Sequence, residues 1–179
     1  MIDGFYNGYP IVYSDTSTYM NTGFEWVTPS DRPITYGFFL RLSCLNGVSL
    51  WLTIFFQSLI LSYLIYLLFK QLFNKNFNFR FLFTMLFLSI LSGVSWVSSQ
   101  LVSDIFTPIT ILSLTLILIG NISKRTRNFL YVLFFISCAT HISHLILFSI
   151  QWAMYIVLLY ISGLYQVPCT KPPTVDWPP

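Results

Sequence analysis

Residues 48–69 form a run of 22 residues without a charged side chain, and Lys70 closes the run. As an α-helix, a run of this length matches the roughly 30 Å hydrocarbon core of a bilayer. Further apolar runs follow at 81–101, 105–122 and 129–162. Only 8% of the residues are charged, whereas a soluble domain has roughly a quarter. The sequence therefore predicts an all-α fold, a polytopic membrane helix bundle.

The basic residues predict how this bundle is oriented. Six of the nine lie in two short clusters between apolar runs, namely Lys70, Lys75 and Arg80, then Lys124, Arg125 and Arg127. Under the positive-inside rule such loops are cytoplasmic, which predicts an integral, multi-pass membrane protein. A nucleic-acid partner would need a basic face instead. We therefore expect the lipid bilayer as a partner, other membrane helices as further partners, and no nucleic acid.

The last apolar run is too long for one span. As a single helix at 1.5 Å per residue, residues 129–162 would measure about 50 Å. We divide this stretch near 140–144 into segments 129–140 and 145–163, with a single segment as the alternative. The predicted bundle at 48–163 then has about five membrane segments.

Residues 1–47 are predicted to form an outer-face loop that carries an interfacial helix at 34–46. Four of its residues recur at helical spacing and would share one face: Tyr36, Phe39, Leu40 and Ser43. Arg41 lies inside that helix, and an arginine in mid-span costs about 2.5–3.5 kcal/mol on insertion scales. A helix lying flat on the membrane avoids this cost, and Asn46-Gly47 is a typical helix end. The Pro-rich residues 164–179 are predicted to be a disordered tail.

The predicted topology places six polar residues on the outer side: Asp15, Asp31, Arg32, Asp104, His141 and His144. This convergence is the main indication of a functional site. Asp15 also fits a helix N-cap, because Ser14-Asp15-Thr16 is typical of a helix start. Arg32 also fits a surface ion pair with its neighbour Asp31, worth under about 1 kcal/mol. Asp104 also fits a solvated turn at the end of a span.

Other polar side chains in the apolar runs have simpler interpretations. Gln57 predicts an interhelical hydrogen bond, and Cys44 and Cys138 serve as small apolar residues, since the three cysteines have no metal-binding spacing. His141 and His144 are three residues apart and would share a helix face, where two histidines can bind one metal. No nearby Cys, Asp or Glu completes such a site, so we expect no metal there.

Two stretches resemble a known family. They are D-R-P-I-T-Y-G-F-F-L-R-L at 31–42 and the span from Gly47 to Lys70 with its mid-helix Gln57, and S-D-T-S-T-Y at 14–19 precedes them. This pattern resembles the N-terminal part of GT-C type glycosyltransferases, the polytopic enzymes that use polyprenyl-phosphate sugars. The protein mannosyltransferase-like and ArnT-like groups belong to this family, and the resemblance covers about residues 8–145.

The pattern looks most similar to uncharacterised bacterial members, so the resemblance implies a transferase site on the extracytoplasmic face of a bacterial inner membrane. It implies that Asp15 is the base that deprotonates an acceptor hydroxyl, or a group that positions it, and that Asp104 is a second catalytic carboxylate. Arg32 would lie near the lipid-linked phosphate, and Tyr19, His141 and His144 would complete substrate binding. A carboxylate base and a guanidinium that binds phosphate suit such a transfer. The cofactor is unknown, and a divalent cation is one option.

The chain also departs from that family. Family members have more spans and a span before the acidic loop, so we expect this chain to be a portion of such an enzyme and inactive alone. The alternative is a small, non-catalytic polytopic membrane protein that packs with a partner. The alternative predicts that Asp15 and Asp104 tolerate substitution by asparagine, whereas the transferase interpretation predicts that they do not.

Overall fold

A computed structural model describes residues 2–30, 32–73, 77–141 and 143–164. Within these ranges the chain forms the helices α1 (Ile2–Asn7), α2 (Ser14–Glu25), α3 (Thr35–Ser43), α4 (Leu50–Leu72), α5 (Phe77–Leu91), α6 (Val94–Ser99), α7 (Phe106–Ile119), α8 (Lys124–Thr140) and α9 (Ser143–Leu164), with a 3-10 turn at Ser103–Ile105. The prediction of an all-α fold is confirmed for the described residues. The predicted disordered tail lies outside them, apart from Leu164.

One of the described helices, α4, is long and apolar enough to cross a bilayer. Three shorter apolar helical stretches accompany it, at Asn78–Leu91, Ser103–Leu118 and Phe148–Tyr160. The core lies where α3, α4, α7 and α8 meet, and it contains Tyr36, Leu40, Leu64, Phe106, Ile109 and Leu130. The helix predicted at 48–69 is therefore confirmed as a helix, and it extends three residues further, past Lys70.

The segment at 81–101 does not form one continuous helix, so that prediction is wrong. α5 ends at Leu91, and α6 begins at Val94 after a bend at Ser92 and Gly93. The Ser92 hydroxyl donates to the carbonyl of Leu88 and accepts the N–H of Val94. A serine side chain that bonds to nearby backbone groups competes with the helix, and this competition explains the break.

The predicted division near 140–144 is confirmed as a division between two helices. α8 ends at Thr140, and α9 begins at Ser143. His141 has extended backbone angles, with φ −153° and ψ 132°. His141 and His144 therefore do not share a helix face, and the prediction that they do is wrong.

The first 47 residues contain more structure than the predicted loop with one helix. α1 was not predicted, and it packs on α6 because the N–H groups of Ile2 and Gly4 donate to the hydroxyls of Ser95 and Ser99, at 3.0 and 3.2 Å. The ring of Phe5 also stacks on Trp51 of α4, with 5.0 Å between centroids. The N-terminal segment thus packs against α4 and α6.

The helix predicted at 34–46 is shorter, at Thr35–Ser43. Of the four residues at helical spacing, Tyr36, Leu40 and Ser43 are buried and Phe39 is half-buried. Leu45, Asn46 and Gly47 all have positive φ angles, so the chain leaves the helical conformation there, although α3 itself ends at Ser43, before the predicted end at Asn46-Gly47. Arg41 donates to the Asn46 side chain and to the carbonyl of Gly23, so its charge has protein partners at this end of α3.

Helices α2 and α3 cross at two glycines. A Cβ atom added at Gly37 would lie 2.8 Å from the Tyr19 carbonyl oxygen and 2.9 Å from the Gly23 nitrogen. Because these obstacles are backbone atoms, only glycine allows this approach. The crossing brings Tyr19 of α2 beside Tyr36 of α3, with ring centroids 4.7 Å apart in an edge-to-face contact.

Gln57 makes the interhelical hydrogen bonds that its place in the apolar run predicted. Its Nε2 donates to the carbonyls of Ser98 and Gln100, at 2.9 and 2.7 Å, and its side chain is fully buried. The bonds anchor the C-terminal end of α6 to the middle of α4.

Replacing Gln57 with leucine is expected to lower the free energy of unfolding by about 1–3 kcal/mol. The reason is that leucine leaves two buried carbonyl oxygens without this donor. Thermal unfolding in mild detergent measures the effect. Gln71 is the matched control, since its bond to the Asn121 carbonyl is exposed, and Gln71→Leu should change stability by less than about 0.5 kcal/mol. Equal effects of the two variants would contradict an anchoring role for Gln57.

Candidate functional site

Asp15 and Arg32 form an ion pair with 2.5 Å between Oδ2 and Nη1. Asp15 lies in the first turn of α2, and Arg32 lies in the loop that leads to α3. The Asp15 side chain is 39% exposed and that of Arg32 is 30% exposed, so the pair is open to solvent or a ligand. Asp31, the predicted partner of Arg32, lies outside the described residues.

Asp15 is not the N-cap of α2, so that alternative interpretation is wrong. The N-cap is Tyr13, and the Thr16 hydroxyl accepts the Tyr13 N–H at 2.9 Å. Helix α2 does begin within the predicted start Ser14-Asp15-Thr16, and its first residue is Ser14. Asp15 projects from the next position and pairs with Arg32 instead of capping the backbone.

Tyr19 connects the ion pair to the turn before α7. Arg32 Nη1 donates to the Tyr19 hydroxyl at 3.4 Å, and the guanidinium carbon lies 5.8 Å from the centre of the Tyr19 ring. The Tyr19 hydroxyl also lies 2.9 Å from the Ser103 hydroxyl. Thr16 donates to the carbonyl of Leu101 at 2.9 Å. Asp15, Arg32, Tyr19 and Ser103 thus form one connected group, which we call the polar cluster.

Asp104 follows Ser103 directly and is exposed. It lies at the edge of a cavity of about 770 Å³, which we call the apolar groove. The groove is lined mainly by aliphatic side chains of α4, α6 and α7, among them Leu61, Val97 and Ile111. Within the described residues Asp104 has no ion-pair partner. Asp104 therefore follows a residue of the polar cluster in the chain and lines an apolar cavity.

Tyr36 is a neighbour of the cluster that sequence reasoning assigned only to the buried face of α3. Its side chain is fully buried, and its hydroxyl has no hydrogen-bond partner among the described residues. Burial, with the nearby Tyr19 and Asp104 adding to the effect, raises the pKa of Tyr36 far above its ordinary value of 10.0. Its hydroxyl therefore stays protonated. Ser103 was also not predicted, because it has no local motif around it.

The hydrogen bond from Arg32 lowers the pKa of Asp15 below its ordinary value of 3.8. Partial desolvation opposes this effect, and the positive charge of Arg32 adds to it. A carboxylate with a lowered pKa is a weak base. Asp15 is thus better suited to holding Arg32 in place than to accepting a proton.

The lowered pKa predicts how stability depends on pH. Because the folded-state pKa of Asp15 lies below the unfolded value, the pair stabilises the fold above about pH 4 and loses this contribution as pH falls through the folded-state pKa. Solvent exposure limits the contribution to under about 1 kcal/mol. Thermal unfolding of the parent protein and of Asp15→Asn at pH 7 and at pH 3 measures it. The difference between the two proteins should shrink at pH 3, and a constant difference would contradict this role.

The two histidines, His141 and His144, are the other predicted substrate-binding residues. His141 is half-buried at the end of α8, and the His144 side chain lies outside the described part of the structure. Within the described residues there is no group of three or more His, Cys, Asp or Glu side chains that could hold a metal ion.

No protein-family model, curated protein or solved structure matches this chain.

Proposed function

We propose that the chain is a multi-pass membrane protein. Helix α4, which is long and apolar enough to cross a bilayer, supports this proposal, together with the shorter apolar stretches in α5, α7 and α9. Large apolar side chains also point outward from α8 and α9, including Val132, Phe135, Ile150 and Leu158. Exposed apolar patches of this kind indicate contact with lipid or with another protein. The two basic clusters, at residues 70–80 and 124–127, would then face the cytoplasm.

We further propose that the polar cluster and the apolar groove form the site of an extracytoplasmic glycosyltransferase. The donor would be a sugar linked to a polyprenyl phosphate. The single observation that carries this proposal is the contact of Asp15, Arg32 and Tyr19 in one cluster with Ser103, whose neighbour in the chain, Asp104, lines an apolar groove. A lipid-linked phosphate needs a cation for its head and apolar surface for its chain.

The proposed roles follow from the charges. Arg32 binds the phosphate, because a guanidinium forms paired hydrogen bonds with phosphate oxygens. Asp15 and Tyr19 hold Arg32 in position. Asp104 is the base: it takes the proton from the acceptor hydroxyl as the new glycosidic bond forms. The bond from the sugar to the phosphate breaks in the same step, and the polyprenyl phosphate leaves with its negative charge stabilised by Arg32.

Replacing Arg32 with alanine tests phosphate binding. We expect the affinity for a polyprenyl phosphate to fall at least about tenfold, because a hydrogen bond to a charged group contributes about 1.5–3 kcal/mol. Native mass spectrometry of the protein from its source membrane, in mild detergent, reports the retained lipid and the intact mass together.

Arg125→Ala is the matched control, since Arg125 is an exposed arginine in the first turn of α8. It should keep the lipid. Equal loss in both variants, or a parent protein that retains no polyprenyl phosphate, would rule out this binding site.

The second candidate function is a non-catalytic membrane protein that packs with a partner. The exposed apolar side chains of α8 and α9 favour it, because a partner helix would cover them as well as lipid does. This candidate predicts full function of Asp15→Asn and Asp104→Asn in the source organism. Loss of function in Asp104→Asn with normal protein levels would exclude it.

A further inference from the structure

A second cavity, of about 220 Å³, lies between α4, α5 and α6, and Ile2 of α1 covers part of it. Five of its lining residues are serines: Ser58 and Ser62 of α4, Ser89 of α5, and Ser95 and Ser98 of α6. The other lining residues are apolar, and none is charged. We call this space the serine cavity. It shares Leu61, Ile65 and Val94 with the lining of the apolar groove, but unlike the groove it has no acidic lining residue.

Three of these hydroxyls have no hydrogen-bond partner among the described residues. Hydroxyl groups elsewhere in the helices donate to the carbonyl one turn earlier, as Thr110, Ser113 and Ser137 do at 2.7, 2.7 and 2.8 Å. Within the described residues Ser58, Ser62 and Ser89 have no such bond and no other hydrogen bond. The Ser58 oxygen is also completely buried, as is the Oε1 oxygen of the neighbouring Gln57, and both are unpartnered.

Lipid cannot satisfy these groups. A buried hydroxyl without a hydrogen bond costs roughly 1–3 kcal/mol by protein mutational data, and polar groups inside a membrane must find partners within the protein or in water. A site that holds water needs room and two to four polar neighbours for each molecule. The serine cavity has both, and its lack of charge gives an ion no counter-charge.

We propose that the serine cavity is a hydrated site, in which water molecules bridge Ser62 and Ser89 between α4 and α5. One face of α4 then contacts water at the same membrane depth at which the opposite face of α4 contacts lipid. This inference uses the membrane placement of α4 and does not depend on the transferase proposal. The occupant is water because the lining offers neutral hydrogen-bonding groups on several sides and no group that would select a charged ligand.

Cysteine accessibility tests the proposal in membrane vesicles. Methanethiosulfonate reagents react with the thiolate, and a thiol away from water keeps a raised pKa and reacts slowly. The test uses Ser62→Cys and Ser89→Cys in the full-length chain, with aminoethyl methanethiosulfonate as the probe. Their matched controls are Leu59→Cys and Ile90→Cys, whose native side chains are 50% and 65% exposed on the outside of the same helices. In every variant the native cysteines are replaced by serine: Cys44, Cys138 and Cys169.

Both cavity thiols are expected to react at least about tenfold faster than their controls, because only they contact water. Slow reaction of all four positions overturns the proposal, since the cavity is then dry. Fast reaction of all four also overturns it, because α4 and α5 are then exposed to water on every side. Reaction at only one of the two cavity positions contradicts a single cavity shared by both helices.

Discussion

Asp104→Asn is expected to reduce sugar transfer by about 10²- to 10⁴-fold, the usual contribution of a general base. Asparagine keeps the size of the side chain and loses the ability to accept the proton of the acceptor hydroxyl. Asp104 is exposed in the middle of the 3-10 turn Ser103–Ile105, so the fold should tolerate the change. Binding of the polyprenyl phosphate should also be retained, because the proposal assigns it to Arg32.

The measurement is the rate of transfer of a radiolabelled sugar from its lipid carrier in membranes that contain the full protein. Glu25→Gln is the control, because Glu25 is an exposed carboxylate at the other end of α2 from Asp15. Asp15→Asn should mainly raise the KM for the lipid donor, since Asp15 acts through Arg32. If Asp104→Asn keeps the parent rate within about threefold, Asp104 is not the base.

Gly37→Ala is expected to destabilise the protein by about 1–3 kcal/mol or more, which is the usual cost of overpacking. The added methyl group would meet the backbone of α2 at Tyr19 and Gly23, so the two helices must separate. Their separation moves Tyr19 away from Arg32 and Ser103. The variant should therefore lose affinity for the polyprenyl phosphate as well as stability.

Thermal unfolding and native mass spectrometry of the same preparation measure both effects. Gly93→Ala is the matched control, because a Cβ atom there has no atom within 4 Å and its φ is negative, at −69°. This control should change stability by less than about 0.5 kcal/mol. A Gly37→Ala protein as stable as Gly93→Ala would show that the helices α2 and α3 do not depend on their close approach.

The local features of this chain were predictable because they depend on neighbouring residues. The uncharged run at 48–69 predicted α4, since only a helix satisfies its own backbone in an apolar environment. Helical spacing predicted the buried face of α3. The length of the run at 129–162 predicted the division between α8 and α9. The break at Ser92 was missed, because a serine within an apolar run is compatible with a continuous helix until its own hydrogen bonds are known.

Amino-acid sequence alone thus determined the all-helical fold, the positions of α3 and α4, the division between α8 and α9, and the residue types available for a site. Tertiary structure alone decided that Arg32 pairs with Asp15, that Tyr19 meets Ser103, and that Gly23 and Gly37 bring α2 and α3 into contact. The physical reason is distance along the chain. Helix formation depends on residues within about one turn, whereas Tyr19 and Ser103 are 84 residues apart. Their contact depends on how whole helices pack, and no local pattern specifies that packing.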